Sequence, residues 1–191
     1  LSLPISNTDG KWLDPVASIF MGVSATCVTG LVVVDVGNDF SMFGQAVILF
    51  LIQIGGLSYM TITTILVYIT GKKLGISEAK IFDMSNNSEA KINFADFVIK
   101  IATLTLVVEG IGLLFLLKDS LEITALSFSD LSDPQYFITA IFQAMFHAVS
   151  AFCNAGLSLY SGSLENHASN HWMLFVFSLL PIIGGLGYTV L

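Results

Sequence analysis

The longest uncharged stretch of this 191-residue chain covers residues 40–71, where 32 consecutive positions carry no Asp, Glu, Lys or Arg. A helix that crosses the hydrocarbon core of a bilayer needs about 20 apolar residues. Residues 101–117 carry one acid, Glu109, and residues 171–191 carry none of these four residue types. The chain therefore predicts three membrane-spanning helices, and Trp172 stands at the start of the third like an interfacial anchor.

The low charge content excludes several classes of protein. Charged residues make up 11% of the chain and hydrophobic residues 54%, whereas a soluble domain is about 25% charged. Too few charges remain to cover a water-exposed surface, which excludes a soluble enzyme and a DNA-binding module. The net charge of -7 also argues against a nucleic-acid partner. The chain starts with Leu and has no signal-peptide pattern, so we expect a processed or truncated chain.

The lysines indicate an orientation in the membrane. Five of the seven lie between Lys72 and Lys100, in or beside the loop that joins the first two predicted spans. By the positive-inside rule this loop, residues 72–96, is cytoplasmic. The other segments hold nine acids and two lysines, so we expect them, including the N-terminal segment 1–13, to lie outside.

Two shorter apolar stretches begin with the same dipeptide, Asp14-Pro15 and Asp133-Pro134, which favours a capped helix start. Each leads into a related motif. Residues 23–31 read V-S-A-T-C-V-T-G-L and residues 149–157 read V-S-A-F-C-N-A-G-L. A second pair follows, I-G-G-L-S-Y at 54–59 and I-G-G-L-G-Y at 183–188. Two motifs in the same order at nearly the same spacing predict an internal duplication.

The duplicated unit has a physical interpretation. A helix of about ten residues reaches only half of a bilayer core, so the chain must turn back. Non-helical backbone at that depth is tolerated where it lines a water-filled path, and its carbonyls can replace the hydration shell of a cation. Gly30 and Gly156 stand where the backbone must turn, since glycine adopts positive φ at little cost. The predicted fold is an all-α integral membrane protein of repeated units, each a spanning helix, a reentrant pore loop and a second spanning helix.

The predicted boundaries follow from these motifs. The first repeat, residues 14–71, holds a pore helix, a filter and a spanning helix. The second repeat, residues 97–191, divides into a spanning helix at 97–117, an extracellular loop at 118–133, a pore helix and filter at 134–157, a loop at 158–170 and a spanning helix at 171–191.

The motifs together resemble a known family. They are V-S-A-T-C-V-T-G-L-V-V-V-D at 23–35, Q-I-G-G-L at 53–57, E-G-I-G at 109–112, F-H-A-V-S-A-F-C-N-A-G at 146–156 and I-I-G-G-L-G at 182–187. The chain resembles the membrane subunit of Trk/Ktr-type potassium transporters, and most of all the Ktr-type subunit. The resemblance covers roughly the first two of four pore repeats.

This resemblance implies a pseudo-fourfold pore in the bacterial plasma membrane, with filters open to the outside. It also implies a homodimer, a cytosolic ring of regulatory subunits that bind a nucleotide, and K⁺ as the transported ion without a covalent cofactor. The implied filter carbonyls belong to Cys27, Val28, Thr29 and Gly30 and to Cys153, Asn154, Ala155 and Gly156. Relatives with Ser at the first filter glycine tend to admit sodium, so Gly30 favours potassium.

The chain also departs from the family pattern. Ser58-Tyr59 follow the first Gly-Gly pair where members often have Gly-Phe. The third and fourth pore loops and the gating segment of the third unit do not occur in these 191 residues. Gating therefore cannot be predicted from this sequence.

Several candidate residues have a structural and a functional interpretation. Cys27 and Cys153 are favoured as small packing residues over a disulfide or metal site. Glu109 is favoured as an acceptor that braces a pore loop, although an acid within a membrane suggests function. His147 is favoured as a hydrogen-bonded buried residue over a pH sensor. His167 and His171 are four residues apart, a spacing that could bind a metal, but a pair of exposed histidines is usually not a metal site.

The glycine pairs and one acid complete the candidates. Close packing of a spanning helix on a pore loop is favoured over hinges for Gly55, Gly56, Gly184 and Gly185. Asp35 either raises the cation concentration at the pore mouth or is a solvated loop acid. Loop 72–96 either docks the regulatory ring or is a solvated surface.

Three other functions compete with a potassium pore. A membrane-embedded enzyme would need convergent polar residues at depth, and only Glu109 qualifies. A sodium-permeable pore of the same fold and a non-conducting assembly fragment are the other two.

Overall fold

The computed structural model describes residues 1–69, 94–125 and 134–186. Its helices in chain order are α1, Pro15–Thr26; α2, Met42–Ile69; α3, Phe94–Ala125; α4, Pro134–Phe152; and α5, His171–Leu186, with 3₁₀ turns at Pro4–Ser6 and Glu165–His167. These described ranges contain no β-strand, so the predicted helical fold is confirmed for them. Most of the predicted loop 72–96, as well as Asp133, lies outside them.

The short helix α1 begins as the Asp-Pro dipeptide predicts. Pro15 takes the first helical position, and the Asp14 carboxylate accepts a hydrogen bond from the Ala17 N–H at 3.1 Å. The helix has 12 residues and therefore extends about 18 Å, little more than half of a bilayer core. The 28 residues of α2 extend about 42 Å, which exceeds the full core.

Helix α3 is longer than the sequence predicts. We expected a span at 97–117 followed by a loop from 118, but the helix continues to Ala125. Lys118 and Glu122 pair one turn apart at 3.8 Å on its exposed side. On the other side, the Thr124 hydroxyl donates to the Gln143 Oε1 at 3.0 Å. Lys118, Glu122 and Thr124 therefore have partners on helices, and the polarity of this stretch does not end the helix.

Helix α4 lies at the centre of the described structure because its two faces differ. Its bulky face (Phe146, Val149 and Phe152) packs with α1 and α2 in one core cluster that includes Met21, Ala25, Ile48 and Ile52. Its small face (Ala144, Ala148 and Ala151) packs with α3 and α5 in a second cluster that includes Leu116, Met173, Val176 and Leu180. Small residues allow close helix approach, so α4 joins the two repeats.

Among the described residues, one stretch is long and apolar enough to cross a membrane by length and composition, Ile99–Ala125 within α3. Helices α1 and α5 and the part of α2 at Met42–Leu57 are apolar but shorter. The remainder of the first and third predicted spans lies outside the residues whose side chains are described.

Candidate functional site

Helices α1 and α4 end with the same pattern of backbone hydrogen bonds. After each helix, three successive N–H groups donate to carbonyls four, three and five positions earlier, at 2.8 to 3.3 Å. The bonds are Cys27 to Val23, Val28 to Ala25 and Thr29 to Ser24 in the first repeat, and Cys153 to Val149, Asn154 to Ala151 and Ala155 to Ser150 in the second. We call residues 27–31 the first loop and residues 153–157 the second loop.

Both loops contain left-handed backbone at the same two positions. The φ angles are 50° at Val28 and 75° at Gly30, and 59° at Asn154 and 66° at Gly156. Positive φ is strained for a β-branched residue such as valine and easy for glycine. Because Val28 and Asn154 adopt the same conformation with different side chains, the pattern belongs to the loop and not to any one residue.

One serine in α1 and one in α4 form a hydrogen bond to the last residue of the loop that follows. The Ser24 hydroxyl donates to the Leu31 carbonyl at 2.7 Å, and the Ser150 hydroxyl donates to the Leu157 carbonyl at 2.6 Å. The Leu157 N–H donates back to the Ser150 oxygen at 3.0 Å. The role of these serines was not predicted, although both repeats contain V-S-A at this position.

The structure brings the two loops together at their glycines. A Cβ atom on Gly30 would lie 2.9 Å from the Ala155 carbonyl oxygen and 3.4 Å from the Gly156 Cα. At Gly30 glycine is therefore needed both for its positive φ and for the close approach. The two loops predicted to contribute filter carbonyls thus lie beside one another.

The Gly-Gly pairs pack against these loops. A Cβ atom on Gly55 would overlap the carbonyl oxygen of Thr26, the last residue of α1. A Cβ atom on Gly184 would overlap the equivalent carbonyl of Phe152, the last residue of α4. Gly56 instead contacts the Cys153 side chain of the other repeat, whereas its counterpart Gly185 is exposed. These contacts agree with a packing role and give no evidence of hinges.

The two cysteines differ in environment. Both are free thiols; Cys27 is exposed and Cys153 is buried. The Cys153 thiol donates to the Glu109 Oε1 at 3.8 Å, a contact between residues 44 positions apart. Glu109 is only 5% exposed and has no ion-pair partner in the described part of the chain. The geometry matches the interpretation of Glu109 as a brace for the second loop.

His147 is buried and uses both ring nitrogens. Its Nε2 accepts the Leu159 N–H at 3.2 Å, which leaves Nδ1 as the protonated nitrogen that donates to the Gln143 carbonyl at 2.8 Å. The imidazole also stacks on Tyr160 with ring centroids 4.1 Å apart. Burial raises the pKa of the Tyr160 phenol, whose oxygen lies 3.2 Å from the Ser120 hydroxyl. His147 therefore fits the description of a hydrogen-bonded core histidine.

Asp35 organises the segment after the first loop. Its Oδ1 accepts the N–H groups of Gly37 at 2.8 Å and Asn38 at 3.0 Å, and the Asn38 amide donates to the Ser161 hydroxyl at 2.7 Å. The carboxylate thus shapes a turn that contacts the second repeat. The described ranges hold no group of three or more His, Cys, Asp or Glu side chains that could bind a metal.

Comparison with known proteins identifies the family. A family model described as "Cation transport protein", TrkH, matches residues 3–191. The chain is 41% identical over its whole length to Ktr system potassium uptake protein B of Bacillus subtilis, covering 40% of that protein. It is 35% identical to Ktr system potassium uptake protein B of Vibrio alginolyticus, covering 39% of it. Potassium/sodium uptake protein NtpJ of Enterococcus hirae is 32% identical, and 40% of it is covered.

The chain spans about two fifths of the length of these curated relatives. The family and these relatives are named for transport, which agrees with the prediction that the chain is not an enzyme. The match of the family model over almost the entire chain confirms the resemblance to Trk/Ktr-type membrane subunits, and the chain belongs to the TrkH family of cation transport proteins.

Proposed function

We propose that this chain is part of the pore-forming subunit of a bacterial potassium uptake system. The observation that carries the proposal is the pair of equivalent loops, each with two left-handed residues after a short helix, that meet at Gly30 and Gly156. The two left-handed residues of each loop are separated by one residue that is not left-handed, and in this proposal the alternation turns the carbonyls of the loop toward the same side. A row of such carbonyls is suited to replace the water around a cation.

The ion-binding carbonyls in this proposal belong to residues 27–30 and 153–156. K⁺ loses its hydration shell at these oxygens and moves down its electrochemical gradient. The C-terminal ends of α1 and α4 point toward the loops and carry partial negative charge, which favours a cation there. No covalent chemistry and no bound cofactor is part of the mechanism.

The proposed loops are reentrant. Helix α1 is too short to cross a bilayer, yet its end is held by Gly55 of α2 through the Thr26 carbonyl. The chain then returns along residues 31–41 to the start of α2. Such a return is compatible with a membrane only where the backbone lines a polar path. The second repeat has the same order from α4 to α5.

Exposure differences support a pseudo-fourfold arrangement with further units. Leu31 is 61% exposed and its counterpart Leu157 is 2% exposed; Val23 is 55% exposed and its counterpart Val149 is 6% exposed. In the second repeat, Val149 and Leu157 are buried because they pack against the first repeat. The same face of the first repeat is uncovered, as expected if another unit of this kind packs on it in a longer chain.

The proposed protein crosses the plasma membrane several times. Residues 72–96 lie in the cytoplasm, and the first and second loops face the outside. The lysine bias described above supports it. The proposed partners are a second copy of the subunit and a cytosolic nucleotide-binding ring. The name of two relatives, which assigns them to a Ktr system, supports a multi-component assembly.

Potassium is the proposed ion because glycine occupies position 30. Since one relative is named for potassium and sodium, a sodium-permeable pore is the alternative that the test must separate. Gly30→Ser adds a side chain at φ 75°, only 2.9 Å from the Ala155 carbonyl oxygen. We expect this substitution to weaken discrimination against Na⁺.

The test measures K⁺, Rb⁺ and Na⁺ flux in proteoliposomes containing the longest natural chain with this segment, alone and with its cytosolic partner. We expect K⁺ and Rb⁺ flux to exceed Na⁺ flux in the unsubstituted protein and Gly30→Ser to reduce the preference. Equal flux of all three ions would favour the sodium-permeable pore. Absence of flux from the folded complete assembly would refute conduction.

A further inference from the structure

The side chain of Cys153 is held between two helices of different repeats. On one side, a Cβ atom on Gly56 of α2 would overlap the Cys153 Sγ, so α2 lies directly against the thiol. On the other side, the Glu109 Oε1 of α3 lies 3.8 Å from Cys153 Sγ. The backbone at Cys153 precedes the left-handed Asn154, and its own N–H is bonded to the Val149 carbonyl at 2.9 Å.

Glu109 has no charged partner among the described residues, and the Gln53 side chain is the other polar group beside its carboxyl group. It lies on the wall of a cavity of about 390 Å³ between α2, α3 and α4, whose other lining residues are apolar apart from Gln53 and Gly110. The two ion pairs of the described residues, Lys11–Asp9 and Lys118–Glu122, do not involve it. A buried acid without a counter-charge is costly, so its presence at this depth suggests a compensating role.

The first loop lacks this arrangement. Cys27, the counterpart of Cys153, is exposed, and no hydrogen bond of its thiol occurs within the described residues. The backbone conformations of the two loops nevertheless agree at both left-handed positions. The contact with Glu109 is therefore a property of the second loop alone and not a requirement of the shared backbone pattern.

We infer that Glu109 is a positioning residue for the second loop: its carboxyl group holds the Cys153 side chain against Gly56 and so sets the position of the carbonyls of residues 153–156. This inference rests on the proposed role of those carbonyls in binding K⁺. The ion does not contact Glu109, and the residue acts on ion selectivity through Cys153.

Two substitutions at Glu109 separate a positioning role from a volume effect. Glu109→Leu removes the acceptor and keeps much of the volume, and Glu109→Gln keeps an acceptor oxygen. We expect Glu109→Leu to reduce the preference for K⁺ over Na⁺ at least about threefold and Glu109→Gln to retain most of it. The readout is the flux ratio in proteoliposomes of the longest natural chain, which a general loss of folded protein does not alter.

The contact is also tested from its other side. Cys153→Ser keeps a donor and Cys153→Ala removes it, so we expect only Cys153→Ala to lower the flux ratio. The double variant Glu109→Leu with Cys153→Ala should be no worse than either single variant, because both remove one contact. Glu122→Leu is the matched control: it removes an exposed acid from the same helix and should leave the ratio unchanged.

An unchanged flux ratio in Glu109→Leu, or equal effects of Glu109→Leu and Glu109→Gln, would overturn the inference. If Glu109→Leu does not fold, Cys153→Ala decides alone: a lowered ratio supports the contact and an unchanged ratio overturns it. Failure of the unsubstituted protein to prefer K⁺ would instead refute the proposed function, so the two failures are distinguishable.

Discussion

The first and second loops share a backbone and differ in the side chains that support it. Beside the second loop, the His147 imidazole of α4 accepts the Leu159 N–H. Within the loop, the Asn154 amide donates to the Pro181 carbonyl at 3.3 Å. In the first loop, the corresponding positions are Met21 and Val28, whose side chains offer no such bonds. The two loops thus share a backbone conformation while the side-chain interactions around them differ.

The largest expected effect on stability concerns the glycine packing that both repeats share. Gly55→Ala and Gly184→Ala both push a methyl group into the last carbonyl of a short helix. We expect each to lower the free energy of unfolding by about 3 kcal/mol, so that little monodisperse protein is recovered from membranes. Gly110→Ala is the matched control, because no atom lies within 4 Å of its Cβ position. A normal yield for either of the first two variants would contradict an equivalent packing role.

A smaller effect on stability concerns the hydrogen bond from the Leu159 N–H to His147, which has no counterpart at Met21 of the first repeat. His147→Met gives the second half the residue found at the equivalent position of the first. The Leu159 N–H then loses its acceptor in a buried site, at a cost of about 2 kcal/mol. We expect a lower Tm in detergent and faster hydrogen exchange at the Leu159 amide. The exposed His171→Met should change neither, and equal Tm values for the two variants would show that the bond is dispensable.

The smallest effect tests the shared left-handed position directly. Val28 has φ 50° and Asn154 has φ 59°, and asparagine tolerates this region far better than valine. We expect Val28→Asn to raise stability by about 1 kcal/mol and Asn154→Val to lower it by a similar amount or more, since the bond to Pro181 is also lost. Thermal unfolding of both variants measures the difference. A destabilised Val28→Asn would mean that packing outweighs backbone strain in the first loop.

The sequence predicted the parts of the fold that depend on local signals. Asp14-Pro15 indicated where α1 begins, the repeated glycines indicated the turns, and the Gly-Gly pairs indicated close packing. The family assignment followed from the same motifs. These features depend on glycine, proline and capping residues, whose conformational preferences hold in almost any context.

Features that depend on distant partners were not predicted. The helical turns at 118–125 were read as a loop because their polar residues resemble a surface, whereas Thr124 and Ser120 have partners on α4 and beyond it. The left-handed Val28 contradicts the local preference of valine and follows from the loop as a whole. The contact of Glu109 with Cys153 joins residues 44 positions apart, a distance that one sequence alone does not reveal.

The contact between Thr26 and Gly55 has a consequence for synthesis. Helix α1 leaves the ribosome before α2, yet α1 is too short to remain across a bilayer and its final carbonyl packs against α2. Gly30 in turn meets Gly156, which is made 126 residues later. In the proposed reentrant arrangement, the early segment would stay outside the lipid, or shielded within the insertion machinery, until later segments arrive. Membrane insertion of these residues would then not proceed strictly helix by helix.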